Sequence, residues 1–403
     1  MLIEDKFMTL ATDNAPGQEM RSKADNITHQ MKGGTLIGTP VDFSHGDVDA
    51  FEPTPGSFDA FADGVHAGGK QAYTEYRGSA SIRSVVAGRV GAFTGAPVDA
   101  NEELIITPGT QGALFLAVAA TVTNGDKVAI VQPDYFANRK LVQFFGGEMV
   151  PVILGYEGKD HDAGINLNEL EQAFEAGAKV FVFSNPNNPT GVVYSKTEIE
   201  AIAKLAKAYG ATVIVDQLYS RLRYEGTSYT HLRALSERPN NLITIMGPSK
   251  SESLSGYRLG AAFGSAHLIE RMEKLQAIVS LRASGYNQAV LNTWFNEPSG
   301  WMEERIRLHQ AIRDDLVSTF RGAGLPVRVP QAGSYLFPKL PALEVGPHDF
   351  VKLLRHQTGV IATPGSEFGP HSLDSVRLNF SQDHTAAVAA VKRLVELVER
   401  YKK

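Results

Sequence analysis

The sequence predicts an α/β protein, a mainly parallel sheet with helices on both faces, joined to a smaller α+β domain. Three observations carry this expectation. Apolar runs of strand length recur with segments of helical period between them, the pattern of βαβ units in a sheet covered on both sides. At 403 residues the chain is too long for one ordinary core. After about residue 300 the pattern changes to two long helical stretches with brief strand-like pieces between them.

In chain order, the first 55 or so residues read as irregular and rich in Gly, Pro and Asp. Residues 1–58 are therefore expected to form an N-terminal arm and part of the small domain. Residues 59–300 are expected to form the large domain, with strands at "ELIIT" (103–107), "KVAIV" (127–131), "KVFVFS" (179–184), "TVIVD" (212–216), "LITIM" (242–246) and "LGAAFG" (259–264). Among the intervening helices, "SKTEIEAIAKLAKAYG" (195–210) opens on a Ser cap and stops at Gly. Residues 301–403 are expected to form the C-terminal small domain. Its helices lie at 301–324 and 384–403, with strand-like "GSYLFPKL" and "SVRLNF" between them.

Composition removes several functions. The net charge of −5, without a basic block, argues against a nucleic-acid surface. With no cysteine, disulfides, thiolate metal sites and cysteine nucleophiles are excluded, and nothing calls for a metal. The N-terminus carries early acids and lacks the apolar region of a signal peptide. The longest apolar run, "GALFLAVAATV" (112–122), falls short of the roughly 20 residues that cross a bilayer. A soluble, cytoplasmic protein without a membrane partner is expected.

Chemistry is expected at the strand ends, because ligands of open parallel sheets lie outside the carboxyl edge. "ELIIT" runs into "PGTQG", "KVAIV" into "QPDYF" and "KVFVFS" into "NPNNPTG". "TVIVD" ends on Asp216 and continues "QLYSR", and "LITIM" runs into "GPSKS". The edge thus offers a glycine turn before a helix, two tyrosines, an asparagine, a carboxylate and a lysine. Together they suit a ligand that is both anionic and aromatic.

These segments resemble the class I/II pyridoxal-phosphate-dependent aminotransferases, the fold-type I enzymes. The likeness runs from "YTEYRGSASIR" (73–83) to "VRLNFS" (376–381). It is strongest in "NPNNPTG" (185–191), the Asp-x-x-Tyr of "DQLY" (216–219) and "SKSESLSGYRLG" (249–260). The resemblance implies an enzyme that moves an amino group from an L-amino acid to a 2-oxo acid, with pyridoxal 5′-phosphate as cofactor. It also implies a homodimer with shared active sites.

Carried over by position, Lys250 is the lysine that forms an imine with the cofactor aldehyde and then moves the substrate proton. A loop lysine is ordinarily a solvated charge, but here a strand end precedes it and Arg258 follows eight residues on. Gly256 makes one continuous helix through both unlikely to form, so a loop returning both groups to one small ligand is expected, with Arg258 gripping the phosphate as a fork. Asp216 is the partner of the pyridinium N–H, which keeps the ring an electron sink. Asn188 and Tyr219 are the donors to the cofactor phenolate. The 28-residue step from Asn188 to Asp216 sets "NPNNPTG" apart from an ordinary turn loop.

Gly109, Thr110 and Gln111 open a helix whose free N–H groups suit phosphate. Ser249 adds a hydroxyl, and Tyr135 is expected to stack on the ring. Tyr73 matches a position that reaches the neighbouring subunit's phosphate. Arg377 is expected to clamp the substrate α-carboxylate, with Gly46 and Asn188 beside it. Arg221 and Arg223 read as solvated loop charges.

Three features depart from the family pattern. Gly247 replaces the Ser or Thr common three residues before the lysine, Glu252 is an unusual neighbour of it, and "SHGDVDAF" replaces a Gly-Glu-Pro-Asp pattern. Two alternatives remain open on motifs alone. One is a lyase on the same scaffold, a β-lyase or cyclopropane-forming synthase; the other is a non-enzymatic cofactor-binding regulator.

Overall fold

The computed structural model describes residues 3–12, 17, 27–156 and 164–403. Among these, the large sheet has eight strands: Leu104–Pro108 (β1), Lys127–Gln132 (β2), Glu148–Gly155 (β3), Gly164–Ile165 (β4), Val180–Ser184 (β5), Thr212–Asp216 (β6), Asn241–Met246 (β7) and Leu259–Gly264 (β8). Their spatial order is β1-β8-β7-β6-β5-β2-β3-β4. The pairs from β3 through β2, β5 and β6 to β7 are parallel, whereas β8 runs antiparallel to both β1 and β7. The architecture is the expected mainly parallel α/β sheet. β3 is a strand that the sequence reading passed over. It carries Pro151 and is only partly buried, so its apolar pattern is broken.

Strand residues alternate between two cores, as a pleated sheet requires. Phe181, Phe183, Val213 and Val215 face one core with Leu170, Ile199 and Ile202 from the helices Leu167–Glu175 and Lys196–Ala208. Val180, Val182 and Ile214 face the other with Leu114, Ala117 and Met272 from the helices Gly109–Thr121 and Ala266–Val279. The helix Lys196–Ala208 begins where the sequence placed it. The Ser195 side chain accepts from the Glu198 N–H while Glu198 reaches back to the Ser195 N–H.

A separate core joins Val41, Phe43 and Phe51 to Leu316, Phe320, Leu353, Leu378, Leu394 and Leu397. Val41–Asp42 pairs in parallel with Val360–Ile361, and Asp42, His45 and Gly46 line a cavity with Ser249 and Lys250. Among its described residues, the N-terminal segment is less irregular than its composition suggests. Ile3–Leu10 is helical, and Lys6 Nζ lies 3.9 Å from the Phe144 ring centroid. That helix rests on a distant contact that local composition does not encode.

Register brings the chemistry to one edge. Ser184 pairs with Asp216, and Asp216 with Ile245, so the loops after β5, β6 and β7 leave the sheet side by side.

Candidate active site

The loop after β7 turns back on itself. The Leu254 N–H donates to the Pro248 carbonyl at 3.1 Å, and a short 3-10 turn covers Ser255–Tyr257. Arg258 then takes a left-handed conformation (φ 52°), which bends the chain into β8. Lys250 and Arg258 consequently line one cavity of about 240 Å³. The same cavity is lined by Thr110, Gln111, Tyr135, Asn188, Asp216, Tyr219, Ser249 and Arg377. Ten of the residues singled out in the sequence thus converge, from six different loops and strands.

Gly109, unlike Thr110 and Gln111, does not line the cavity; it precedes them with φ +75°, and a Cβ there would lie 2.8 Å from Arg258 Nη2. Glycine therefore lets the guanidinium approach the opening of the helix Gly109–Thr121, where unpaired N–H groups gather. The departure at Gly247 has a steric reason. A Cβ at this position would lie 2.7 Å from Thr110 Cγ2, so the Thr110 side chain fills the space a serine or threonine would need.

Asp216 is half-buried at the end of β6, and the loss of water around its carboxyl pushes it up to about 6. Its side chain accepts from the Leu218 N–H at 2.9 Å, and among the described residues no cation pairs with it. Asn188 is held from behind. Its N–H donates to Ser184 Oγ at 3.1 Å, and Ser184 Oγ–H donates to Asp134. Asp134 is itself buried, which pushes its carboxyl up to about 7. The turn is fixed by Asn187, which donates to the Pro133 carbonyl at 3.1 Å and accepts from Thr190 Oγ1 at 2.6 Å. Tyr135 donates to Gln111 Oε1 at 2.9 Å.

Arg377, 2% exposed, lies between two rings, with its guanidinium carbon 4.5 Å from the Tyr335 centroid and 4.8 Å from that of Phe368. Its Nη2 donates to the Ser44 carbonyl at 2.9 Å and its Nη1 to Asn188 Oδ1 at 3.4 Å. Its Nε is buried without a partner. One edge of the fork is therefore left for an acceptor that the chain does not supply.

Gly46 lies one step away. It lines a second cavity of about 860 Å³, with Lys250, His45, His309 and Ser381, and a Cβ there would be 3.3 Å from Ser381 Cβ. His45 faces both cavities. Its Nε2 lies 3.2 Å from Asp42 Oδ2, and that hydrogen bond raises the imidazole to about 9. Tyr73 lies outside both cavities, 84% exposed, with the Arg282 guanidinium 5.5 Å from its ring centroid.

Arg221 is not a solvated loop charge. Its Nη1 bonds Glu252 and, at 2.7 Å, Glu297 Oε1, while its Nη2 reaches Glu297 Oε2 at 3.0 Å. Glu252 is fully buried, so the unusual acid beside the lysine is the partner of a buried arginine. Arg223 is half-buried, its guanidinium 5.7 Å from the Phe93 centroid and 5.5 Å from that of Tyr229. Sequence reasoning also missed Tyr335, Ser44, His45 and Asp134. Asp134 adjoins Tyr135 at a strand end and could have been found there; Tyr335 and Ser44 reach the site only through tertiary contacts.

Comparison with known proteins identifies the family. The description of the class I and II aminotransferases matches residues 41–394. A crystal structure of an aspartate aminotransferase from Rhodobacter sphaeroides is 66% identical, covers 100% of both chains and superposes with a TM-score of 0.96. An aspartate aminotransferase from Sulfolobus acidocaldarius is 30% identical over 83% of this chain and 84% of its own. Kynurenine–oxoglutarate transaminase 1 of Mus musculus is 27% identical over 80% of this chain and 83% of its own. These relatives are transaminases, which decides for amino transfer over the lyase alternative. The chain belongs to the class I and II aminotransferase family, as an enzyme of fold type I.

Proposed function

We propose that the 240 Å³ cavity holds pyridoxal 5′-phosphate and that the enzyme moves the amino group of an acidic L-amino acid, of the aspartate kind, to a 2-oxo acid. One observation carries the cofactor: around Lys250, polar and charged groups converge whose complements the chain does not supply. Asp216 lacks a cation, Arg377 Nε lacks an acceptor, and Arg258 stands at an open helix start. A protonated ring nitrogen, a carboxylate and a phosphate are the complements of these three.

When bound, pyridoxal phosphate supplies an aldehyde that condenses with amines and a ring that accepts the electron pair left at Cα. The chain supplies the rest. Asp216 would hold the ring nitrogen protonated, and Asn188 and Tyr219 would donate to the phenolate. Tyr135 would cover one ring face. Arg258, Ser249 and the N–H groups of Gly109, Thr110 and Gln111 would take the phosphate. Arg377 would fix the α-carboxylate, and Gly46 would shape the substrate wall. With the carboxylate fixed, Lys250 Nζ would take a proton from Cα and give it to the cofactor's former aldehyde carbon, serving as general base and then general acid.

Two relatives named aspartate aminotransferases support an acidic donor. So does His45, a cation at the junction of the two cavities. A homodimer with shared sites is part of the proposal. Tyr73, Ile278, Val279 and Leu281 are exposed apolar side chains, and their segments are tied together by Gln71 Nε2 donating to the Gly285 carbonyl at 2.8 Å. Covering that face with a second copy would carry Tyr73 toward the partner's phosphate.

A panel of donors with 2-oxoglutarate tests the substrate class. Aspartate should exceed neutral aliphatic and aromatic donors in kcat/KM by tenfold or more, and a neutral donor ahead of aspartate would overturn the acidic reading. Sedimentation at assay concentration should show a dimer; a fully active monomer would contradict the role given to Tyr73.

A further inference from the structure

Tyr335 belongs to no motif, yet it stands at the centre of the site. Its hydroxyl oxygen lies 2.6 Å from that of Tyr219, and the rings meet edge to face with centroids 5.3 Å apart. Both side chains are buried, and Tyr335 packs beneath the Arg377 guanidinium. Burial alone would push the Tyr335 phenol up. The Arg377 and Lys250 cations, with hydrogen bonds from Tyr219 and Asn379, more than offset burial and hold it below the ordinary tyrosine range. Tyr219 is pushed the other way, by burial and by its phenolic neighbour.

A hydroxyl has one proton and two lone pairs. At 2.6 Å the pair has two arrangements. In the cofactor-free chain Tyr219 donates to Tyr335. A ligand phenolate is a stronger acceptor than a neutral phenol, so a ligand beside Tyr219 draws that proton to itself. The Tyr335 O–H can then turn and donate to the Tyr219 oxygen. Hydrogen bonds in such a chain polarise one another, which makes the last donor stronger than an isolated tyrosine.

We propose that Tyr335 is a positioning residue that sets how strongly Tyr219 donates to the cofactor phenolate, through a relay from the Tyr335 hydroxyl to the Tyr219 hydroxyl. The inference rests on reading Tyr219 as the phenolate donor. It adds a residue 116 positions away in sequence whose effect passes through one oxygen atom. Drawing electron density from the phenolate lowers the proton affinity of the neighbouring imine-type nitrogen, so the relay should appear in the pH midpoint of the bound cofactor's absorbance rather than in turnover alone.

The test is a pH titration of that absorbance in loaded wild type, Tyr335→Phe, Tyr219→Phe and the double variant. Tyr335→Phe keeps the ring under Arg377 and removes only the hydroxyl. Its midpoint should rise by about half to one pH unit, the scale of one lost hydrogen bond. Tyr219→Phe should rise further, and the double variant should match Tyr219→Phe alone, because Tyr335 acts only through that hydroxyl. A Tyr335→Phe midpoint within about 0.2 of wild type, or a double variant that shows the full sum of both shifts, overturns the relay. If Tyr219→Phe itself moves nothing, the reading of Tyr219 fails instead, and the two failures are thereby distinguished. Should Tyr335→Phe not fold, 3-fluorotyrosine at position 335 keeps the shape with a more acidic hydroxyl. Its midpoint should fall below wild type, and a rise would count against the relay.

Discussion

Lys250 and Glu252 are two residues apart and stand in opposite electrostatic situations. Behind the loop, Glu252 is fully buried, yet Arg221 bridges it to Glu297 and Ser251 Oγ donates to it at 2.8 Å. In front of the loop, Asp216 is half-buried without a cation, Arg377 Nε is buried without an acceptor, and Lys250 Nζ makes no ion pair or hydrogen bond among the described residues. One cluster is closed within the chain; the other is open toward a ligand. Buried polarity by itself therefore does not mark a functional site. Polar groups of complementary chemistry that converge on one cavity with their partners missing do, because unpartnered single atoms such as Arg233 Nε and Trp294 Nε1 also occur away from it.

That contrast breaks most visibly at Arg221. Arg221→Ala leaves two carboxylates facing each other out of water, and removing one member of a buried pair costs about 3–5 kcal/mol. Denaturant unfolding should show a loss of that size in the cofactor-free protein. A loss below about 1 kcal/mol would mean that the cluster is as solvated as its loop composition suggests.

Asp216 should respond with the opposite sign. Burial raises its carboxyl from 3.8 to about 6, so between those values the folded chain keeps a proton that the unfolded chain has lost. Stability attributable to this group therefore falls as pH rises from about 4 to about 6, and stays lower above. At roughly 1.4 kcal/mol for each pH unit between the two values, the penalty approaches about 3 kcal/mol. Asp216→Asn keeps an acceptor for the Leu218 N–H and removes the titration. The melting temperature of cofactor-free Asp216→Asn should match wild type near pH 4 and exceed it above pH 6, while amino transfer collapses. Equal melting temperatures at pH 7.5 would show that water already solvates the carboxylate.

Much of this contrast was legible in the sequence, and its limits have a physical cause. Strand ends were legible because an apolar run that stops at Asp216 or Lys250 states both position and chemistry within a few residues. Gly109, Asn188, Tyr219 and Arg258 follow from the same local rule. Strand Glu148–Gly155 was not legible, since a half-exposed strand bearing Pro151 loses the apolar run that identifies its neighbours. Nor was the closed character of Arg221, whose partners lie 31 and 76 residues away. Pairings across such distances are set by how loops meet after folding, and no local spacing records them.

The two arginines of the open cluster give the smallest and most specific effects. Arg258→Ala removes a charge-assisted fork from the phosphate, so cofactor affinity should fall roughly tenfold to a few hundredfold, measured by fluorescence titration. Arg377→Ala should retain the cofactor within a few-fold and saturate poorly with amino acid and oxo acid alike. Cofactor loss from Arg377→Ala with unchanged substrate affinity would show that the two anions had been exchanged.

The central claim is that the open cluster holds an aromatic aldehyde phosphate against Lys250. It is tested most directly by reducing the loaded protein with borohydride and mapping the labelled peptide. The predicted result is loss of the visible absorbance band, with the pyridoxyl group recovered on Lys250, in the peptide that begins at Gly247 after cyanogen bromide cleavage at Met246. Label on another lysine, or a protein that takes up no pyridoxal phosphate, would contradict it.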